Sequence, residues 1–182
     1  MNDKNMRVLM SKKMLKDGLF RCMQKKPLEK ITVSEICREA QVNRTTFYNH
    51  YTVPRDILLE SGLAHAEKIK AIFQKDDKKP NEEKRLEVLK YIYSIKDELK
   101  VLFLAEADAN IENSATDFFA WFVDDFLEER KDLTLKDKAE YDMLCNCLGW
   151  SSYFLIRQWL LRYEDKTPEE MHKFFIRLGK GF

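Results

Sequence analysis

Residues 32–51 constrain the fold more than any other stretch, because they hold two short helical patterns with a tight turn between them. In the first pattern, Ile36 and Ala40 lie four residues apart and form one apolar face. After the turn, Asn43 is suited to cap a second helix, since its side chain can accept a backbone N–H left unpaired at a helix start. The stretch therefore predicts two short, packed helices joined by a tight turn.

The second of these helices has one apolar face and polar side chains elsewhere. Phe47 and Tyr51 lie four residues apart and are expected to face inward. The other faces carry one basic, one amide and several hydroxyl side chains, namely Arg44, Thr45, Tyr48 and Asn49. Arginine can pair bidentately with guanine, while hydroxyls and amides reach phosphates or base edges. The pattern is that of a helix-turn-helix whose second helix reads the major groove.

The block ending in Thr46-Phe47-Tyr48-Asn49-His50-Tyr51, followed by Pro54-Arg55-Asp56-Ile57-Leu58-Leu59, resembles the DNA-binding region of TetR-family transcriptional regulators. The resemblance is specific over roughly residues 7–60, and beyond them it rests on helical architecture and chain length. The C-terminal half is loosely similar to the closing helices of one TetR subgroup. The resemblance implies that the following residues lie near DNA: Thr32, Asn43, Arg44, Thr45, Thr46, Tyr48, Asn49, His50 and Arg55.

Two positions depart from the family pattern. Gln41 stands where many members have a turn glycine, and its cost is tolerable if its φ is negative. Pro54 stands where a lysine that touches a phosphate often opens the fourth helix, so Arg55 is expected to supply that contact. Thr32 or Ser34 is expected to cap the second helix, and Thr32 could cap it and donate to a phosphate at the same time.

Composition favours an all-α fold. The 182 residues include only 5 Gly and 4 Pro, which suits long helices with few breaks. Apolar residues recur at helical spacing in about nine segments, and no strand pattern is convincing. Two domains are expected: a helix-turn-helix domain at 1–52, with three helices, and a helical regulatory and dimerisation domain at 53–182.

Charge is unevenly divided along the chain. Residues 1–60 contain 12 Lys and Arg against 7 Asp and Glu, whereas residues 61–182 contain 20 against 24. A basic N-terminal third fits a surface that faces phosphate. No segment has the apolar length of a membrane span, and the N-terminus is polar, so a cytoplasmic protein without membrane contact is expected.

The C-terminal half is rich in aromatic residues that allow two interpretations. Rings on nearly every side of one helix indicate a buried core. Some of them could instead line an apolar cavity for a small hydrophobic or amphipathic effector. The candidate lining residues are Phe103, Phe118, Trp121, Phe122, Trp150, Tyr153 and Phe154.

A long helix near the C-terminus is the expected dimer surface. Small residues there would let a partner helix come close, and Trp159 would act as an anchor. The alternative is packing within the chain alone, and the family resemblance favours the dimer. The candidate interface residues are Leu148, Ser152, Ile156, Trp159 and Phe175.

Neither catalysis nor metal binding has support in the sequence. No nucleophile–base pair, phosphate-binding glycine loop or carboxylate pair is present, so an enzyme is not expected. His65 and His172 are isolated, and no metal or cofactor is expected. The four cysteines lack a disulfide or metal spacing and are interpreted as reduced, packed thiols, with a redox sensor as the alternative.

The sequence thus predicts a homodimeric DNA-binding regulator, a repressor, that reads a palindromic operator on double-stranded DNA through residues 43–50. A small molecule in the C-terminal domain would release it by favouring a spacing of the two reading heads that does not match DNA. The alternative is a helix-turn-helix adaptor that is controlled by a protein partner rather than by a small ligand.

Overall fold

The computed structural model describes residues 3–74, 80–104 and 136–179. Within these ranges the chain is all-α, as predicted, and contains no strand. The eight α-helices are α1 Asp3–Met23, α2 Val33–Ala40, α3 Arg44–Tyr48, α4 Pro54–Gln74, α5 Asn81–Ser94, α6 Lys96–Leu104, α7 Lys138–Arg162 and α8 Pro168–Gly179. A short 3-10 turn, Leu28–Lys30, precedes α2. The helix predicted from the aromatic-rich segment at 115–129 lies outside the described residues.

The chain divides into two compact units, residues 1–67 and 68–182. The division falls inside α4, whereas the sequence placed a boundary before that helix. Ile57 and Leu58, in the first half of α4, are buried in the N-terminal unit, while Ile69 and Phe73 belong to the C-terminal core. One continuous helix therefore supplies core residues to both units.

In the N-terminal unit, α1 and α2 cross at very short range. Gly18 of α1 lies against α2, and a Cβ at this position would be 2.8 Å from the Cβ of Ala40. Leu15 and Leu19, on either side of it, are fully buried. The predicted inward face of α2 is confirmed, since both Ile36 and Ala40 are buried.

The N-terminal ends of α2 and α3 are fixed by side chains at or next to the start of each helix. Thr32 and Glu35 form a capping box at the start of α2, in which each side chain accepts the other residue's backbone N–H. Asn43 caps α3 as predicted, because its Oδ1 accepts the backbone N–H of Thr46 at 2.7 Å. These contacts span three residues each and hold the short helices in place.

In the turn between α2 and α3, Gln41 does not meet the condition of a negative φ under which its steric cost would be tolerable. Gln41 has φ 54° and ψ 39°, so the residue that replaces the family glycine adopts the left-handed conformation rather than a negative φ. The hydrogen bond from Val42 N–H to the Cys37 carbonyl, 3.0 Å long, closes a helix end of the type that requires this conformation. A non-glycine residue pays a steric cost there, which the surrounding turn imposes.

The C-terminal unit is built around Trp159 of α7, which is 1 % exposed. Its ring stacks on Tyr93 of α5 with centroids 5.5 Å apart, and its indole N–H donates to the Lys166 carbonyl at 2.9 Å. The buried residues around it come from five helices and are Ile69, Phe73, Val88, Leu89, Ile92, Phe103, Tyr153, Ile156, Leu160 and Met171. This core therefore joins residues that are far apart in the sequence.

Candidate nucleic-acid interface

The candidate interface is centred on α3, a helix of only five residues. A helix this short is not stable by itself, so its contacts with the rest of the unit determine its orientation. Phe47 provides the main one, since its side chain is fully buried. The opposite faces are exposed and carry Arg44, Thr45, Tyr48 and Asn49, as the sequence predicted. The result is a polar ridge on a fixed apolar base.

Arg44 and Tyr48 form an exposed pair on this ridge. The guanidinium carbon of Arg44 lies 6.0 Å from the centroid of the Tyr48 ring, and the two side chains also form a 3.5 Å hydrogen bond. The Tyr48 ring is 53 % exposed and stands edge-on to buried Phe47, with centroids 5.3 Å apart. Stacking on a ring that is itself held in place limits the conformations of Arg44, so its donors are displayed in a narrow range of directions.

Two of the predicted hydroxyl contacts are engaged within the protein. The Thr46 hydroxyl donates to Asn43 Oδ1 at 2.9 Å, and the Thr32 hydroxyl donates to Glu35 Oε2 at 2.8 Å. A hydroxyl has a single donor hydrogen, and phosphate oxygens only accept. In this arrangement the Thr32 hydroxyl caps its helix and directs its hydrogen to Glu35, so a phosphate contact by Thr32 remains a prediction.

Glu35 introduces a fixed negative charge beside the interface. Hydrogen bonds from the Lys26 ammonium and from the Thr32 backbone and hydroxyl lower the pKa of Glu35 from 4.5 to about 2. The Lys26 Nζ–Glu35 Oε1 distance is 2.6 Å. The carboxylate is therefore ionised at neutral pH, where it caps α2 and forms an ion pair with Lys26.

The remaining predicted contacts lie at the end of α3 and the start of α4. His50 is half-buried, and its ring lies edge-on to Tyr51 at 6.3 Å. Pro54 begins α4 as predicted, and Arg55 beside it is half-buried. Arg55 thus lies next to the reader helix in the chain, where a phosphate contact remains a prediction.

Sequence analysis missed a polar cluster behind the reader helix. Tyr51, which is 8 % exposed, donates its hydroxyl hydrogen to Glu60 of α4. Lys12 of α1 pairs with the same carboxylate at 2.5 Å, and its ammonium lies 5.6 Å from the centroid of the Tyr51 ring. One turn earlier on α4, Asp56 accepts the backbone N–H of Val53 at 2.9 Å. No sequence pattern could have paired Lys12 with Glu60, because 48 residues separate them.

The predicted ligand-lining residues occupy different environments. Phe103 and Tyr153 are buried and pack edge-to-face, with centroids 5.6 Å apart. Trp150 and Phe154 are instead 43 % and 55 % exposed on α7, so their predicted place in the lining of an interior cavity is corrected. Trp150 and Phe154 lie four residues apart on α7, so their side chains share one face of the helix, and that face is exposed. Phe118, Trp121 and Phe122 lie outside the described residues.

The predicted dimer anchors also need correction. Trp159 and Ile156 are 1 % and 4 % exposed and are packed in the chain's own core, so neither can anchor a partner subunit. Phe175 is half-buried and packs against the same core. Leu148 is half-buried and packs against Cys145, and Ser152 is half-buried as well. Trp159, the predicted anchor, and Ile156, a predicted interface residue, therefore follow the alternative interpretation of packing within the chain.

The exposed face of α7 is more apolar than a solvated helix face usually is. Met143, Cys147, Trp150 and Phe154 follow one another at intervals of four, three and four residues, so they lie along one side of the helix, and all four are exposed. We call these four residues the α7 stripe. Such a contiguous row typically marks an interaction surface.

Other kinds of site find no support in the described parts of the chain. No three His, Cys, Asp or Glu residues there lie together as a metal site would require. Burial raises the pKa of the Cys22 and Cys37 thiols, which keeps both protonated and suits the packing role expected of them. No helix in these ranges is both long and apolar enough to cross a bilayer.

The structure is similar to that of a TetR transcriptional regulator from Streptococcus agalactiae 2603V, with a TM-score of 0.71 and 23 % identity over 96 % of each chain. It also resembles the dihydroxyacetone kinase operon activator DhaS, with a TM-score of 0.61 and 18 % identity over 93 % of this chain and 94 % of that one. Thermus thermophilus FadR, a TetR-family repressor solved with lauroyl-CoA, matches with a TM-score of 0.57 and 17 % identity over 92 % of each chain. No family model or curated protein matches the sequence. From the exposed polar ridge of α3 and this similarity over nearly the whole chain, we conclude that the protein has the fold of the TetR-family transcriptional regulators.

Proposed function

We propose that this protein is a DNA-binding transcriptional repressor that places α3 in the major groove of its operator. The observation that carries the proposal is the exposed Arg44–Tyr48 pair on a helix fixed by fully buried Phe47. A preoriented guanidinium suits bidentate recognition of guanine, and a tyrosine hydroxyl suits a phosphate oxygen. Thr45 and Asn49 lie on the same exposed ridge and complete the proposed reading surface.

The proposed assembly is a homodimer that reads a palindromic operator. Two reader helices related by a twofold axis would enter successive major grooves about one helical turn apart. We propose the α7 stripe as the surface that brings the two copies together, since Met143, Trp150 and Phe154 are large, apolar and exposed. This surface replaces the buried Trp159 and Ile156 of the sequence-based prediction.

The proposed control is release from DNA by a small hydrophobic or amphipathic effector bound in the C-terminal unit. The similar FadR structure contains lauroyl-CoA, a molecule with an apolar chain and a polar head, which supports an effector of that type. Release requires the effector to bind the non-reading state more tightly than the reading state, because equal affinity shifts no equilibrium. Lauroyl-CoA is therefore a suitable first probe, with coenzyme A alone as the control for the acyl chain.

A second candidate function is transcriptional activation through the same DNA contact. It is favoured by one observation, that the similar protein DhaS is named as an operon activator. A promoter carrying a selected site in front of a reporter separates the two. Lower reporter output when the protein is expressed supports repression, and higher output supports activation.

The test of the proposed function is DNA binding by fluorescence anisotropy over a range of salt concentrations. A duplex selected from a random pool by the protein is compared with a scrambled duplex of the same composition. Selective binding with a steep salt dependence is expected, because phosphate contacts release counterions. Equal binding to both duplexes, or to neither, contradicts the proposal.

Replacing Arg44 by alanine sharpens the same test. We expect Arg44→Ala to weaken binding to the selected duplex by about 1–3 kcal/mol and to relax base preference at one position of each half-site. Arg177→Ala, which removes another exposed arginine, on α8, is the matched control and should bind as the wild type does. Unchanged affinity and preference in Arg44→Ala would remove this residue from the proposed reading role.

The proposed dimer surface is tested by light scattering. Phe154→Glu, at the C-terminal end of the α7 stripe, should give monomers, because a buried carboxylate at an apolar interface is costly. Tyr163→Glu alters a similarly exposed aromatic residue at the end of the same helix and should leave the dimer intact. A dimer that survives Phe154→Glu places the interface elsewhere.

A further inference from the structure

We infer that Glu60 is a positioning residue for DNA reading, which acts through Tyr51 to hold the C-terminal end of the reader helix against α4 and α1. This inference rests on the proposed function and names a residue that touches neither base nor phosphate. The juxtaposition that carries it is one α4 carboxylate bound by the Tyr51 hydroxyl and by the Lys12 ammonium.

The reader helix needs a fixed point at each end, because its five residues are too few for independent stability. At the N-terminal end, Asn43 supplies one through its bond to the Thr46 backbone. At the C-terminal end, the chain leaves the helix at Asn49, and the backbone N–H groups of His50 and Tyr51 both bond to the Phe47 carbonyl at 2.9 Å. The side chain of Tyr51 is therefore placed to fix how that end sits on the rest of the unit.

Tyr51 depends on Glu60 for its polar end. Its ring is buried, and a buried hydroxyl without an acceptor is costly. Burial, followed by the hydrogen bond to Glu60, raises the pKa of Tyr51 well above its ordinary value, so the residue remains a donor at every physiological pH. Although partial burial opposes it, hydrogen bonds from Lys12 and Tyr51 lower the pKa of Glu60 and keep it an acceptor.

A second carboxylate on α4 supports the same interpretation. Asp56 lies one turn before Glu60 and accepts the backbone N–H groups of Thr52 and Val53 at 2.7 and 2.9 Å. Residues on one helix face four positions apart are neighbours. Together, Asp56 and Glu60 hold the three consecutive residues 51–53, so the segment that follows the reader helix is fixed by backbone and side chain at once.

The sign of the effect distinguishes positioning from simple electrostatics. A carboxylate near DNA repels phosphate, so removing a negative charge should by itself tighten DNA binding. A positioning role predicts the opposite for the selected duplex. We expect Glu60→Gln to weaken binding to the selected duplex by about tenfold, the lower range for a hydrogen bond to a charged group, and not to weaken binding to the scrambled duplex. Glu29→Gln removes the same charge from an exposed site and should bind no more weakly than the wild type.

Tyr51→Phe is the second variant, since it keeps the buried ring and removes only the hydroxyl. We expect a similar loss on the selected duplex, and the double variant Tyr51→Phe/Glu60→Gln should lose no more than either single variant, because both remove the same contact. Binding is measured at a temperature where circular dichroism shows every variant to be folded, so a change in stability alone would leave affinity unmoved.

Lys12 provides an independent check through the salt dependence. If its ammonium is engaged by Glu60, Lys12→Met lowers affinity for the selected duplex without changing the salt slope. A slope reduced by about one would show a direct phosphate contact by Lys12 instead and would contradict the inference. The exposed Lys13→Met is the control for loss of a positive charge from α1.

Three results would overturn the positioning role. They are unchanged or tighter binding of the selected duplex by Glu60→Gln, equal losses on both duplexes, and a double variant whose loss is the product of the two single losses. Failure of the proposed function gives a different result, because the wild-type protein would then not discriminate between the duplexes at all.

Discussion

The short helices α2 and α3 of the N-terminal unit and the core of the C-terminal unit are stabilised by contacts of different range. In the N-terminal unit, the Glu35 carboxylate accepts the backbone N–H of Thr32, and the Asn43 side chain accepts that of Thr46. Both hydrogen bonds span three residues. In the C-terminal unit, the Tyr93 ring stacks on Trp159, and the Tyr93 hydroxyl donates to a backbone carbonyl 71 residues away. Short-range bonds can be anticipated from spacing in the sequence, whereas long-range ones exist only once the chain has folded.

The two units should therefore respond differently to substitution. In the N-terminal unit, several weak contacts together orient the short helices. A single substitution should therefore lower the free energy of unfolding only slightly, unless it alters the α1–α2 crossing. In the C-terminal unit, one large side chain lies at the meeting point of several helices, and its loss should be costly. The four predictions below test this difference, from the largest expected effect to the smallest.

The largest effect is expected at Trp159. Trp159→Ala should lower the free energy of unfolding of the C-terminal unit by about 3–5 kcal/mol, because it leaves a large cavity and removes the stack on Tyr93. Urea unfolding followed by circular dichroism measures it. Trp150→Ala, on the exposed side of the same helix, is the matched control and should cost less than about 1 kcal/mol. Similar losses in both variants would contradict the central place of Trp159.

The next effect concerns the α1–α2 crossing. Gly18→Ala should destabilise the N-terminal unit by about 1–3 kcal/mol, because the new methyl group would lie 2.9 Å from backbone atoms of α2. Gly62→Ala makes the same change in α4, where no atom lies within 4 Å, and should instead stabilise the helix by up to about 1 kcal/mol. Thermal unfolding of the two variants should thus shift in opposite directions, and shifts of one sign would show that the crossing is looser than described.

A smaller effect is expected at the left-handed turn. Gln41→Gly should raise the free energy of unfolding by about 0.5–1 kcal/mol, because glycine adopts φ 54° without a clash of its Cβ. Thermal unfolding measures the change, and Gln24→Gly, next to the end of α1, is the control for glycine's greater freedom in the unfolded chain. A loss of stability in Gln41→Gly would mean that the glutamine side chain contributes more than its backbone costs.

The smallest effect is expected from acid. The folded-state pKa of Glu35, about 2, lies below the ordinary 4.5, so the contribution of this carboxylate is fully present above about pH 5 and is lost as the pH falls towards 2. Wild-type protein should therefore be more stable than Glu35→Gln at pH 6, and the difference should shrink steadily towards pH 2. A difference that is constant with pH would assign the role of Glu35 to packing.

The accuracy of the sequence-based predictions follows the same division. The caps at Thr32 and Asn43, the buried face of Phe47 and the start of α4 at Pro54 were predicted correctly, because each depends on neighbours within a few residues. The sign of φ at Gln41 was left open, because the helix end imposes a conformation that the residue type argues against. Apolar character on α7 was recognised, but Trp159 and Ile156 were assigned to the outer surface and Trp150 and Phe154 to the interior.

α7 shows why. Apolar residues occur on nearly every side of it, so periodicity alone cannot tell which face packs against the chain's own core. That choice depends on α5, which supplies Tyr93, and on the segment before α8, which supplies the Lys166 carbonyl to Trp159. The Lys12–Glu60–Tyr51 cluster has the same origin, since no local pattern links three residues that lie on different elements.

The sequence by itself determined that the described parts of this chain are all-α, where the two short helices α2 and α3 lie and which side chains α3 exposes. These properties follow from spacing, capping and composition, which act over a few residues. Only the tertiary structure decided which face of α7 is buried, how Gln41 turns the chain and which carboxylate holds Tyr51. The buried face of α7 depends on residues far apart in the sequence, the Gln41 conformation on how the end of α2 is closed, and the Tyr51 contact on a carboxylate that lies on another helix. None of these follows from the periodicity of one helix, because each is settled only when the elements pack.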